Sequence, residues 1–209
     1  MQTVYNKIAG QSLERLAALS DGVFAIAMTL LVLDLHVPAA AALRSDADLS
    51  HALLALLPNL IAYVMSFMTL GIFWVGQQTQ LNSFARSDRT LTWIYLAFLL
   101  LVTLMPFLTG LLSGFITHRL ALLIYWLNIA LMGGALFAAL RYAVRASLMR
   151  DDLPADRTIA QERRIVIAQA LYAFGAALCL VNTWLSIGFI FLAQLNYVVA
   201  PRLRPLYRL

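Results

Sequence analysis

The chain has 209 residues, 62% of them hydrophobic and only 12% charged, with a formal net charge of +5 and a mean hydropathy of +0.82. A soluble domain carries about 25% charged residues, so this composition excludes a water-soluble globular protein and indicates an integral membrane one. The positive charge would suit a nucleic-acid partner, but that reading fails once the charges are located in loops on one side of a membrane.

Residues 1–17 hold Lys7, Glu14 and Arg15 but no apolar core. The first span is therefore expected to serve as its own insertion signal. Runs long enough to cross about 30 Å of hydrocarbon lie at about 13–36, 52–76, 91–113, 119–140, 160–181 and 184–200. Ser50, Ser87 or Asp88, Thr117, and Asp156 or Thr158 are candidate helix caps. Pro38 is expected to end the first span and Pro201 the last, and Pro106 to kink the third. Only Asn182 to Trp184 separates the last two runs. One helix over 165–200 would reach about 54 Å at 1.5 Å per residue, so two spans joined by a tight turn fit a bilayer better. The reading is a single all-α domain over 1–209, polytopic, with six transmembrane helices.

Six spans place 13 of the 15 basic residues on one side and leave Arg44 and Arg119 on the other. By the positive-inside rule both termini are cytoplasmic. Five spans would put Arg202, Arg204 and Arg208 outside, against that rule. The single Cys179 reads as a small core residue. Gly110 and Gly114 form a weak G-x-x-x-G near a span end, and the four tryptophans read as core or interface anchors.

The first span, "ALSDGVFAIAMTLLVLDL", carries an acid near each end and a threonine at its centre. An aspartate at the middle of a membrane helix costs about 2.5–3.5 kcal/mol, which the fold or the function must offset. At 100° per residue, Gly22, Ile26, Thr29, Leu30 and Leu33 share one face. Asp21 and Ser20 point well away from it on opposite sides. A stripe of this kind reads first as packing.

Arg15-Leu-Ala-Ala-Leu19-Ser20-Asp21-Gly22 resembles the R-x-x-x-F-S-D-G signature of the transmembrane protein 175 family of lysosomal and bacterial potassium channels. "SFMTLGIFWVGQ" and "LMPFLTG" extend the resemblance more weakly. Leu19 departs from the signature's Phe, Gln77 stands where a His is expected, and Tyr95 where an Asn is frequent. The resemblance implies a bacterial member in the inner (plasma) membrane, assembled as a homotetramer in the lipid bilayer, with the first helix lining the ion path. It implies that Ile26, Thr29, Leu30 and Leu33 face the pore. The helical wheel groups the same residues independently.

No Gly-rich loop lies between spans, so the chain is not of the carbonyl-filter type. Rings of Ile26, Leu30 and Leu33 would form an apolar constriction that gates by excluding water. Thr29 would bear on cation preference. Arg15, Ser20, Asp21 and Gly22 form the signature's structural network, in which Asp21 with Ser20 and Arg15 is expected to tie the pore helix to its neighbours through buried hydrogen bonds. Asp34 has two readings: a carboxylate at the extracellular mouth that concentrates cations, or an interfacial acid without effect on conduction. His36, His51 and His118 read as solvated interfacial histidines.

No paired carboxylates, metal-ligand spacing or nucleophile motif supports an enzyme. No cofactor is implied beyond permeant potassium, and a proton leak is compatible with the family. A proton-coupled secondary transporter and a non-conducting membrane scaffold are the rival readings.

Overall fold

The computed structural model describes residues 12–39 and 44–199. Lys7, the tail arginines and Pro201 lie outside them. The first helix, α1 (Leu13–Leu30), starts at Ser12, whose hydroxyl accepts the Arg15 N–H, and tightens into a 3₁₀ turn over Leu31–Asp34. Then follow α2 (Asp46–Ala55), α3 (Leu57–Leu81), α4 (Arg89–Thr103), α5 (Met105–Gly114), α6 (Arg119–Arg145), α7 (Ala155–Ala177) and α8 (Thr183–Val199). Among the described residues five helical stretches are long and apolar enough to span a membrane, with α4 and α5 counted as one. The apolar α8 adds a shorter sixth of 17 residues.

Several boundaries differ from the sequence reading. The caps expected at Thr117 and at Asp156 or Thr158 fall to His118 and Pro154, neither of which makes a side-chain cap bond. The run expected to begin at 52 is two helices, because Pro58 sits in the first turn of α3 and its missing N–H and ring favour a fresh start there. The cap expected at Ser50 falls to Ser45, whose hydroxyl accepts the Asp48 N–H, while Ser50 donates back to the Ala47 carbonyl. Outside the spans, the Ser45 hydroxyl and the Arg44 N–H hold the Asp48 carboxyl below its ordinary pKa. Pro106 does more than kink the third span: the helix breaks at Leu104 and restarts as α5.

Other local signals act as their chemistry dictates. Asp88 caps α4 by accepting the Leu91 N–H at 2.8 Å. Asn182 caps α8, its Oδ1 accepting the Trp184 N–H at 2.7 Å and the Leu185 N–H at 3.3 Å. That bond makes the tight turn between α7 and α8. Cys179 is buried.

The long α3 is the hub. It packs on α1, α5, α6 and α8, while α4 packs on α1 and α6, and α7 fills the side between α6 and α8. Aromatic rings close the α1–α3–α4 junction, where Phe24 and Phe73 flank Phe98 at 5.9 and 6.2 Å between centroids.

The α3–α4 and α6–α7 loops lie at the same end of the bundle and bind each other. Ala85 N–H donates to the Leu148 carbonyl and Arg150 N–H to the Ser83 carbonyl, making a one-residue antiparallel bridge between Phe84 and Met149. Arg86, Arg89, Arg145 and Arg150 thus gather at one arginine-rich end. Arg141 pairs there with Glu162 at 3.2 Å and Arg150 with Asp152 at 2.7 Å. To enter this loop the chain leaves α6 through Ser147 at φ 54, with the Leu148 N–H donating back to the Ala143 carbonyl. That is a helix stop in which glycine is the usual residue.

A side chain in this left-handed conformation costs about 1–2 kcal/mol. Ser147→Gly removes that strain and loses about 0.4–1 kcal/mol through a looser unfolded chain. The expected outcome is a higher melting temperature in detergent for Ser147→Gly and a lower one for Ser147→Val.

Candidate functional site

The bundle buries one face of α1 and leaves the other bare. Leu16, Ser20, Phe24, Ala27 and Leu31 are buried, a spacing of three and four residues that keeps one side of the helix against α3 and α4. Gly22, Ile26, Thr29, Leu30 and Leu33 all stand on the uncovered side. Ile26 is 62% exposed, Leu30 43% and Leu33 66%. A Cβ added at Gly22 would meet nothing within 4 Å. The residues grouped by the wheel therefore form a continuous uncharged face that their own chain does not cover.

Thr29 brings the one hydroxyl of that group. Its Oγ1 lies 3.0 Å from the Ala25 carbonyl and 2.8 Å from the Ile26 carbonyl. With its proton donated to the helix backbone, the oxygen keeps its lone pairs directed away from α1. An exposed hydroxyl so engaged acts as an acceptor, the role that suits a cation.

The rotation of α1 is set by polar contacts with α3, which the signature residues make. Gln77 Nε2 donates to Ser20 Oγ at 2.6 Å, and Ser20 donates in turn to the Leu16 carbonyl at 2.8 Å. Both Ser20 and Gln77 are fully buried. One residue on, Asp21 Oδ1 accepts from Trp74 Nε1 at 2.8 Å and from Gln78 Nε2 at 2.7 Å. Trp74 is thus a hydrogen-bond donor to the signature acid, a role that its apolar surroundings in the sequence concealed. Arg15 is exposed, and its side chain hydrogen-bonds to no other described residue. It stands apart from the contacts of Ser20 and Asp21.

Asp34 is half-buried. Its carboxylate packs against α5, with both oxygens about 3.0–3.1 Å from where a Cβ of Gly110 would be. Oδ2 is enclosed and has no hydrogen-bond partner among the described residues. Asp34 follows the buried Ala27 by seven residues, two turns of the helix, so ordinary helical spacing brings it to the covered side of α1. Gly110, half of the weak G-x-x-x-G, is what makes room for it. His36 is exposed and its Nδ1 lies 3.1 Å from the Asp34 carbonyl; His51 and His118 are exposed.

The sequence reading missed a buried chain of hydroxyls and amides behind α1. Thr109 donates to Ser66 at 2.7 Å, and Ser66 and Thr69 lie 3.1 and 3.3 Å from the Tyr125 hydroxyl. Gln194 donates to Thr69 at 2.7 Å. Lower on α3, Tyr95 donates to Gln80 at 3.0 Å, and Gln80 to the Leu136 carbonyl at 3.1 Å. These contacts join α3, α4, α5, α6 and α8 in a region with no water to satisfy them. A visible signal existed: Ser66, Thr69, Gln77 and Gln80 recur at helical spacing inside an apolar span.

The sequence model for the endosomal/lysosomal potassium channel TMEM175 family matches residues 15–106, from the signature arginine to the α4–α5 break. A protein of Chamaesiphon minutus named as a potassium channel is 32% identical over 191 residues, which are 88% of this chain and 93% of that one. The chain belongs to the TMEM175 family. A protein of Streptomyces collinus named as a potassium channel is 34% identical over 181 residues, covering 83% of this chain and 85% of its own. The fold matches the crystal structure of a lysosomal potassium-selective channel TMEM175 homologue from Chamaesiphon minutus. The TM-score is 0.79 at 28% identity, covering 91% of this chain and 98% of that one. The chain is a multi-pass membrane protein, and the family to which it belongs is one of ion channels, which is not an enzyme class.

Ser20→Ala leaves the buried Gln77 amide with no acceptor and is expected to destabilise the protein by about 1–3 kcal/mol. Adding Gln77→Leu removes the stranded amide and should recover most of the loss. Thermal unfolding of both variants, followed by size-exclusion chromatography, measures this.

Proposed function

We propose that the chain is a potassium-selective cation channel in which four copies bring their α1 helices together around a central path. The observation that carries this reading is the bare face of α1, which holds Ile26, Thr29, Leu30 and Leu33 clear of their own bundle. Four such faces on one axis would cover each other's apolar side chains and enclose a narrow route. Rings of Ile26, Leu30 and Leu33 supply an apolar constriction that closes by excluding water. The ring of Thr29 oxygens, each with its proton engaged by the helix backbone, supplies polar ligands for a cation that has lost part of its hydration shell. The names of the matched relatives support potassium as that cation.

The arginine-rich end faces the cytoplasm in this reading, with both termini on that side, in a bacterial inner membrane. A proton leak along the same path belongs to the proposal, since a narrow apolar route that wets transiently admits protons as well as cations. A proton-coupled carrier would work instead through polar groups near the midplane. The hydroxyl chain of Ser66, Thr69 and Tyr125 lies at such a depth but is buried in α3 and α6, away from the α1 face.

Planar-bilayer recording of the purified protein across a potassium/sodium gradient tests the reading. Unitary current steps that reverse towards the potassium equilibrium potential are expected. Silent bilayers from correctly inserted oligomers would overturn it in favour of a carrier or a scaffold. Thr29→Val should shift the reversal potential towards that of a non-selective pore, and an unchanged permeability ratio would remove Thr29 from the account. Leu30→Ser, by making the constriction easier to wet, should raise the open probability in the same recordings.

A further inference from the structure

On the side of the bundle away from the bare face of α1, the surfaces of α3, α6, α7 and α8 do not close. A crevice of about 70 Å³ remains between them. A water needs about 10–15 Å³ on this measure, so the space is several waters large. Small residues carve it. A Cβ at Gly76 would meet nothing within 4 Å, and Gly133 lets the Gln169 side chain lie flat against α6. The walls are mostly hydrocarbon, with Ile72, Phe73 and Leu136 on one side and Ile165 and Ala168 on the other. Such a lining favours an apolar occupant over water.

The two ends of the crevice differ. Tyr172, which is buried, lies deep in the membrane-spanning part of α7. Arg164 lies eight residues, or about 12 Å, nearer the arginine-rich end, and Tyr197 of α8 lines the crevice beside it. Arg164 is exposed and pairs with no acid among the described residues. The nearby Glu162 is already taken by Arg141 at 3.2 Å. An uncompensated guanidinium thus stands at the mouth of an apolar slot, close to the level at which the helix surface turns from apolar to charged.

We infer that this crevice binds one acyl chain of an anionic glycerophospholipid whose phosphate sits on Arg164. Charge sets the choice of occupant. A second copy of the chain seated here through an apolar face would bury Arg164 without a counter-charge, which costs several kcal/mol. A lipid phosphate supplies that charge at the correct depth, and a guanidinium matches its oxygens in a bidentate fork. Basic pockets between membrane helices on the cytoplasmic side hold anionic headgroups on this principle. The site is separate from the α1 path, and its occupancy is read without any current.

The test is native mass spectrometry of the full chain, purified in mild detergent, stripped of lipid, and titrated with phosphatidylglycerol or phosphatidylcholine in mixed micelles. Wild type should retain phosphatidylglycerol in preference to phosphatidylcholine. Arg164→Gln should weaken that retention about fivefold, the worth of one interfacial arginine. Gly76→Leu should abolish it by filling the slot, with an unchanged circular dichroism spectrum. If Gly76→Leu fails to fold, Ala168→Leu fills the same space. Equal retention of the two lipids, or undiminished retention in Arg164→Gln and the filled variant, overturns the inference. Release of phosphatidylglycerol by millimolar inorganic phosphate overturns it too, since the site would then recognise a bare anion and not a lipid.

Discussion

The contact between Gln77 and Ser20, 2.6 Å long and fully buried, decides what the rest of the molecule can present to its neighbours. Apolar packing alone would hold α1 against α3 and α4 loosely in rotation, because leucine, isoleucine and phenylalanine interchange round a helix at small cost. A buried amide without an acceptor is costly by comparison, so only one rotation of α1 is comfortable. Asp21, held by Trp74 and Gln78, repeats the constraint one residue on. The bare stripe follows from these contacts, since the side that is not pinned is the side that remains open.

The departures from the family pattern show how the constraint is met with other chemistry. Gln77 replaces the expected histidine but still delivers an N–H to Ser20. Tyr95 replaces the frequent asparagine and spends its hydroxyl on Gln80, which in turn reaches the Leu136 carbonyl of α6. In both places the side chain present donates to a buried partner, in a medium that offers no water as a substitute.

Much of the fold was legible because hydropathy and caps are local. The Asn182 turn between α7 and α8, the Asp88 cap and the irregularity at Pro106 all depend on residues within a few positions of one another, although the proline alone predicts a kink and not the full break that the helix makes at Leu104. The α1 stripe was legible for the same reason, as a pattern of one helix. What escaped was mostly long-range. The carboxylate of Asp34 lies against Gly110 of α5, a neighbour that nothing near Asp34 in the chain marks. Trp74 reads as an anchor until Asp21, 53 positions away, is beside it. Gln194 and Thr69 meet across 125 positions, and the partner of neither is written in its own surroundings. The separate α2 was hidden because Pro58, read as part of one long run, marks the start of a helix as readily as the middle of a bend.

The bridge between Phe84 and Met149 has a consequence for how the protein is kept the right way up. Arg86 and Arg89 precede or begin α4, and Arg145 and Arg150 end α6 or follow it. Two independent loops could each be drawn back through the bilayer during a topological error and its repair. Loops joined by backbone hydrogen bonds move as one body. Four guanidinium groups would then have to cross together, each opposed by about 2.5–3.5 kcal/mol at the bilayer centre. A bias that a ribosome-bound chain feels only as a preference becomes, after folding, a ratchet against inversion.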